Sequence, residues 1–447
     1  MKNLKNKMTN NLKLAVVGHT NTGKTSLMRT LLRDTQFGEV KNAAATTRHV
    51  EEAWIGEWVR LYDTPGLEDA GGVLDWLEQN TSNQIDGIER LQQFLASPAA
   101  AQEFSQEAKV LRQLLQSDCA LYVIDAREPV LPKYKDELTV LSWCAKPIMP
   151  VFNFTAGRDL SDWQTMLARR VLHVSSAFDT VAFDFNGEIQ LWDNLATMLP
   201  ERSLLDTLIA HRRYEWARLD TDARLLIAHF LLNVAAYRQT FATEAVLTEK
   251  QAEMQTIVRQ AERHLHKQLL DLYQFYNNEL HGTDWAMQAF RQDPFDSELL
   301  LQYGIRTGKG LATGAAVGLG FDVLTAGLSL GMGTVVGSLI GSIIPNIQTI
   351  SDKITGTQTL WVDSAALTVL AARACELLAM LQARGHAAQD ELALRGEFNA
   401  WAANKLPDEL QKARRKTEWS QWNGGTVAAA QKERAEAAQR LAERLQF

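Results

Sequence analysis

The run Gly18-His19-Thr20-Asn21-Thr22-Gly23-Lys24-Thr25 sets two glycines, a lysine and a hydroxyl at the spacing GxxxxGK[ST]. Each residue type suits the holding of a polyphosphate. Gly18 and Gly23 let the backbone wrap closely, so that successive N–H groups converge on one anion. Lys24 supplies a mobile positive charge for the β- and γ-phosphates, and the Thr25 hydroxyl is placed to ligate Mg²⁺. Phosphate contacts are expected from Gly18, His19, Thr20, Asn21, Thr22, Gly23, Lys24, Thr25 and Ser26. A second constellation lies downstream at Asp63-Thr64-Pro65-Gly66. Here an Asp can steady the Mg²⁺, and Gly66 can turn its backbone N–H toward a γ-phosphate. Between the two, in Ala45-Thr46-Thr47-Arg48-His49, Thr47 can reach both the metal and the γ-phosphate. The candidate metal set is therefore Thr25, Thr47 and Asp63.

These groups need elements to hold them. Leu14-Ala15-Val16-Val17 is an apolar run suited to a buried strand, and Ser26 to Leu32 carries helical apolar spacing. Strand, glycine loop and helix in that order put a positive helix end beneath the anion. A hairpin follows, Val50 to Ile55 turning at Gly56-Glu57 into Trp58 to Tyr62. A strand lies at Ala120, and the run Pro147 to Asn153 reads as a further one. Alternating strands and helices predict an α/β fold, a doubly wound and mostly parallel sheet closing near Pro200 after a helix over Ile189 to Leu199. Residues 73–115 form an insertion read as two helices broken around Ser97-Pro98, a candidate regulatory cover.

Taken together, GHTNTGKTS, TTRH and DTPG resemble the Era-like GTPases, the group that includes Era, EngA and TrmE, over about residues 10–200. The resemblance implies GTP or GDP as ligand, Mg²⁺ as cofactor, and a catalytic set of Lys24, Asn21, Gly66 and Thr47. In some members K⁺ stimulates hydrolysis and is held partly by an Asn at the position of Asn21. The other reading of Asn21 is an Asn that tolerates a left-handed backbone. Leu67 stands where Ras-like enzymes carry the Gln that orients water, a hydrophobic substitution the Era-like group shares. Glu68, Asp69 and Asp75 are then candidates for that task, and no spacing chooses among them. His19 is given no catalytic role, its side chain being expected to point away from phosphate.

The guanine-reading NKxD of the family is here Asn153-Phe154-Thr155-Ala156. Asn153 is kept, Phe154 replaces the Lys, and Ala156 replaces the Asp. Asp159 comes a few residues late and could substitute in a rebuilt loop. The SAK-like loop survives partly in Ser175-Ser176-Ala177-Phe178, from which Ser176 and Ala177 are carried over as nucleotide contacts. Guanine preference is thus inherited from the resemblance, and ATP stays open.

The chain has 447 residues, 46% of them hydrophobic, enough for two domains or more. A net charge of −7 and a pI of about 5.8 argue against a broad nucleic-acid surface. Three widely spaced cysteines fit buried thiols in a reducing cytoplasm rather than a metal or disulfide framework. The expected organisation is a basic tail over 1–11, which is no secretory signal, an Era-like domain over 12–202, and an all-α domain over 203–447 in which strand signals vanish. Helical spacing marks 203–239, 247–277, 365–381 and 427–445.

Within the helical part, glycines recur every fourth residue, at Gly304/Gly308, Gly310/Gly314/Gly318, Gly327/Gly331 and Gly333/Gly337/Gly341. Such spacing lets two helix backbones approach closely. No charged residue occurs from Val323 to Ser351, and Gly320-Phe321-Asp322 suits a turn, so residues 304–351 read as a glycine-zipper hairpin. It either contacts a membrane or membrane protein, or packs as the buried centre of its domain. The leading functional reading is a cytoplasmic GTPase switch, peripheral at the inner membrane if the hairpin meets lipid, whose helical half is an effector. Bacterial proteins with this layout, of no established process, look similar along the full length. Two alternatives are a non-hydrolysing nucleotide-binding scaffold and a ribosome-assembly GTPase. The last would need a basic RNA-binding appendage, and Lys412-Ala413-Arg414-Arg415-Lys416 is a lone basic run.

Overall fold

The computed structural model describes residues 11–34, 37, 50–181, 183–241, 247–273, 293–295, 347–352, 357–383, 400–401, 405–424 and 428–445. They fall into two compact units, one made chiefly of the chain up to Ala217 and the other chiefly of the chain from Arg218.

In the first unit the elements run β1 (Leu12–Val17), α1 (Lys24–Leu32), β2 (Glu51–Ile55), β3 (Val59–Asp63), α2 (Ala70–Asn80), α3 (Gly87–Ala96), α4 (Ser105–Gln116), β4 (Cys119–Asp125), α5 (Pro132–Ser142), β5 (Ile148–Asn153), α6 (Ser161–Ala168), β6 (Ser176–Ala177) and α7 (Phe185–Met198). The sheet order is β2-β3-β1-β4-β5-β6, with β2 antiparallel to β3 and the remaining pairs parallel. The central strands are apolar along their whole length because both faces are covered. Leu12, Leu14 and Val16 of β1 join one core with Leu121 and Val123 of β4, against α1 and α7. Ala15 and Val17 join the other with Ala120, Tyr122 and Ile124, against α2 to α6. This is the alternation that a strand's period of two imposes.

The insertion differs from its expected form. Its break at Ser97-Pro98 is present, but a second one at Thr81 to Asp86 divides it into three helices, α2, α3 and α4. They are not an outlying cover: Val73, Leu77, Leu91, Phe94, Leu111 and Leu114 are core residues on the sheet. The 35-residue helix α8 (Arg202–Ala236) begins in this unit. Its Arg212 reaches Glu188 of α7 at 3.2 Å and donates to the Leu31 carbonyl at 2.7 Å, with Arg33 closing on the same Glu188 at 3.5 Å.

In the second unit come the rest of α8, β7 (Gln239–Phe241), α9 (Leu247–Leu272), β8 (Ile347–Asp352), β9 (Thr357–Val362), α10 (Ser364–Gln382), α11 (Asp408–Ala413) and α12 (Ala428–Arg444). It is mainly helical, as the apolar spacing predicts, yet it carries an antiparallel sheet ordered β7-β9-β8 where no strand was expected. β7 is short and pairs with β9 across a long separation, Gln239 with Leu360 for example, whereas β8 and β9 pair locally from Asp352 and Thr357. Only the alternation Thr357-Gln358-Thr359-Leu360-Trp361-Val362 carried a local signal. The last residues of the expected 304–351 hairpin are thus strand β8; its residues 304–346 lie outside the described residues.

Among the described residues, α10 is the one helix long and apolar enough to cross a membrane, and it is largely buried. Asp363 caps it, accepting from Ala366 N at 2.7 Å. Cys119, Cys144 and Cys375 are buried free thiols, each pushed up to about 12 by burial. Within α10, the fully buried Arg373 donates to Glu262 of α9 at 2.7 Å. Burial raises the Glu262 carboxyl, Asp293 adding to the shift and Arg373 opposing it. Breaking such a pair leaves one buried charge uncompensated. Arg373→Met should therefore lower the unfolding free energy by roughly 3–5 kcal/mol, whereas Arg373→Met with Glu262→Leu should recover most of the loss. Urea unfolding of the single and double variants checks this; a double variant no better than the single would reject it.

Candidate nucleotide site

The turn from β1 into α1 is left-handed at three positions, Gly18 (φ 140°), Asn21 (φ 65°) and Gly23 (φ 92°). Gly23 is obligatory twice over: besides its φ, an added Cβ would lie 2.2 Å from Asn153 Nδ2. The loop therefore has the inward-facing backbone that an anion cradle needs, and it ends on the N-terminus of α1. Lys24 is buried, its Nζ donating to the carbonyls of His19 at 2.7 Å and Gly18 at 3.1 Å. Burial lowers its pKa, partly offset by Asp63, Glu137 and Glu68.

Thr25 Oγ1 donates to Asp63 Oδ2 at 2.6 Å. Asp63 ends β3, and its other oxygen, Oδ1, is buried with no hydrogen-bond partner among the described residues. Burial raises this carboxyl from 3.8 to about 6, against the pull of Thr25 and Lys24. An orphaned carboxylate oxygen beside a threonine hydroxyl is what a hydrated divalent cation would satisfy. The chain after Asp63 folds back on the phosphate loop. Thr64 Oγ1 donates to Val16 O at 2.7 Å, and Leu67 N to Gly18 O at 3.1 Å. Gly66 lies so close to Thr20 that a Cβ would sit 2.8 Å from its Cα.

Of the three acids considered for positioning water, two have other contacts here and the third stands on the surface. Glu68 accepts from the Thr20 hydroxyl at 2.8 Å, Asp69 caps α2 through Gly72 N at 2.8 Å, and Asp75 is exposed on α2. Leu67 is fully buried. Two further residues that the sequence reading missed hold this segment. Glu107 of α4, buried, accepts from Asp69 N at 3.1 Å and Glu68 N at 3.3 Å. His19 Nδ1 lies 2.7 Å from Leu67 O and 2.8 Å from Glu137 Oε1. Both are acceptors, so the ring carries its proton on Nδ1. Glu137 in turn accepts from Tyr122 OH at 2.7 Å. Their common signal was a charged residue inside an otherwise apolar helical face, at Glu107 and Glu137.

At the base end, Asn153 Nδ2 donates to Thr22 O at 3.1 Å, while its Oδ1 accepts from Phe154 N, Thr180 N and Thr180 Oγ1 at 3.0 to 3.1 Å. Ser176 Oγ accepts from Asn194 of α7 at 2.9 Å, so it faces that helix, and Ala177 is exposed beside it. Asp159 does not take the place of the missing acid: both its oxygens accept from Ser161 at the start of α6. Another carboxylate is nearer. Asp179, from the loop after β6, accepts from Thr155 N at 3.1 Å and from Val181 N at 2.9 Å. Ser26 lies in the first turn of α1; Thr47 lies outside the described residues.

Sheet order, glycine loop and Asp-Thr-Pro-Gly turn define the first unit as a P-loop GTPase domain. Residues 13–154 match the family described as 50S ribosome-binding GTPase. Residues 164–443 match the family described as Domain of unknown function (DUF3482), and because that is more than half of the chain, the protein belongs to this family. The chain is similar to GTPase Der of Campylobacter fetus subsp. fetus (strain 82-40), 29% identical over 27% of this chain and 21% of that protein. Similar solved structures include Era in complex with MgGDPNP and nucleotides of 16S ribosomal RNA, 18% identical over 37% of this chain and 50% of that one, TM-score 0.28. The G domain of the T. maritima FeoB iron transporter is 18% identical over 38% and 86%, TM-score 0.21. The chain thus spans about a fifth of the curated relative and half of the Era chain.

The Asp63 carboxyl holds its proton more tightly folded than unfolded, so the folded chain binds more protons between the two pKa values. Its contribution to stability is full below 3.8 and is lost as pH rises through about 6. Without nucleotide or Mg²⁺, Asp63→Asn should flatten that fall and stabilise the chain near neutral pH by up to about 3 kcal/mol. Thermal unfolding from acid to neutral pH measures it. A variant less stable than the parent at neutral pH would mean that the Thr25 hydrogen bond outweighs the desolvation.

Proposed function

We propose that the chain binds GTP with Mg²⁺ and hydrolyses it slowly, as a switch whose state is read out by the second unit. The observation that carries this is the Thr25–Asp63 pair with its orphaned Oδ1. A buried carboxylate kept only for structure is normally saturated with partners, and this one has an oxygen to spare for a metal-bound water. Mg²⁺ would be held by the Thr25 hydroxyl, with Asp63 behind it and Thr47 as the third candidate ligand, and would neutralise charge on the β- and γ-phosphates. Lys24 and the loop N–H groups hold the phosphates, and Gly66 is the backbone donor toward the γ-phosphate. Asn21 is the candidate for holding a stimulating K⁺. Guanine reading is assigned to Asp179, which bonds the loop where Ala156 replaces the family's acid.

A non-hydrolysing nucleotide-binding scaffold is the second reading, favoured by the buried Leu67 and by Ala156. Single-turnover hydrolysis and affinity for GTP and ATP, in K⁺ against Na⁺ with Lys24→Ala as the blank, decide between them. The expected result is GTP binding with K⁺-stimulated turnover, lost in Lys24→Ala, and at least tenfold less preference for GTP over ATP in Asp179→Ala. Tight binding with no turnover in either salt selects the scaffold. ATP preference in the parent chain rejects the guanine assignment. Membrane contact through 304–351 is supported by the glycine repeat and the charge-free run from Val323 to Ser351 alone. Co-sedimentation with anionic vesicles should depend on nucleotide state, and its absence in every state would reject membrane contact.

A further inference from the structure

The second unit contains a cavity of about 600 Å³, whose described lining residues all belong to that unit. Its walls come from α8, α9, the turn at Gln421-Trp422 and α12. Gln260, His264 and Gln268 follow one another at four-residue spacing along α9, so a single helix face presents a column of polar groups to it. The turn is pinned by Asn233 of α8, whose Oδ1 accepts from Gln421 N at 2.9 Å. A cavity of this size falls in the range that takes small-molecule ligands, about 300–1,000 Å³.

Its charge is unbalanced. Arg434 of α12 lines it, and among the described residues no Asp or Glu does. The guanidinium lies with Nη1 3.3 Å from His229 Nδ1, and Nη2 donates to the His229 carbonyl at 3.2 Å. Its Nε is buried without a hydrogen-bond partner. The same side chain borders a second cavity of about 230 Å³, again with His229 and Gln421. Elsewhere in the chain, the buried Arg212 and Arg373 each face a buried Glu. Burial lowers the Arg434 pKa with no acid among the described residues offsetting it, and burial, aided by the guanidinium, lowers that of His229. With Nδ1 facing a guanidinium that can only donate, the imidazole proton sits on Nε2, which adds a donor. A cation desolvated without a counter-ion is costly unless something supplies one.

We propose that this cavity binds a small organic anion, a carboxylate or a phosphomonoester of up to nucleotide size, whose charge pairs with Arg434. The binding is separate from the phosphate loop and survives its loss.

The test uses the full chain carrying Lys24→Ala, titrated calorimetrically with inorganic phosphate, succinate and adenosine 5′-monophosphate against chloride of equal ionic strength. At least one probe should bind saturably at one site and raise the unfolding temperature above the chloride control. Response to phosphate or the nucleotide identifies a phosphomonoester site, and response to succinate a carboxylate site. Arg434→Met should weaken binding at least tenfold. Gln421→Glu adds a carboxylate to the lining that both cavities share with Arg434, so it should raise the ligand-free unfolding temperature and abolish the anion response. This variant decides the matter if Arg434→Met fails to fold. No response beyond chloride to any probe, or a response that survives Gln421→Glu, overturns the proposal.

Discussion

Asn153 occupies the space that Gly23 leaves by having no side chain, and its amide is spent entirely on backbone and hydroxyl partners. One side chain thereby ties together the phosphate loop at Thr22, the base loop at Phe154 and the returning loop at Thr180. It is almost fully buried, and each bond lost in such a place costs about 1–3 kcal/mol. The shape of the phosphate cradle is therefore set from the end of β5, across the sheet from the strand that delivers it. The Asn of an NKxD-like run consequently has work independent of any base, which explains how it persists here beside Phe154 and Ala156.

The same loop is a place where charge is buried against its own preference. Burial pushes Lys24 down and Asp63 up, and each only partly relieves the other. The second unit handles buried charge differently at its core, where Arg373 and Glu262 meet directly. A pair that satisfies itself needs nothing from outside. Lys24, turned onto the His19 and Gly18 carbonyls, and Asp63, with one oxygen unpartnered, each retain capacity for a charged guest. That contrast separates the groups that stabilise a fold from the groups that await a ligand.

How much of this was legible in sequence follows from the range of the interactions. The phosphate loop, the hairpin turning at Gly56 and the apolar central strands rest on local spacing, and they read directly from the chain. So did α7, α8, α9, α10 and α12 as helices, whereas the six-residue α11 did not. The second break in the insertion was hidden because Thr81 to Asp86 carries no proline or glycine and keeps an apolar residue, Ile85, among its polar ones. The sheet β7-β9-β8 was hidden because β7 is three residues long and joins β9 across more than a hundred residues. In the site, Glu107, Glu137 and Asp179 act on loops far from them in sequence, and no spacing rule links an acid on α4 to the backbone after Gly66.

The two ends of the nucleotide site consequently differ in how freely they can change. At the phosphate end, backbone direction and hydroxyl chemistry are demanded by the anion and its metal, so few residue types serve. At the base end, the requirement is a flat surface and a well-placed acceptor, which several arrangements can supply. Phe154 adopts a left-handed backbone (φ 57°) and lies beside Gly23. Arg127, held by Asp125 through paired hydrogen bonds, covers its ring with the guanidinium carbon 3.9 Å from the centroid. Ring and guanidinium together rebuild the apolar wall and positive charge that a lysine stem would bring. Asp179, from the loop after β6, bonds this loop at Thr155 N, so a carboxylate stands beside the run in which Ala156 brings none.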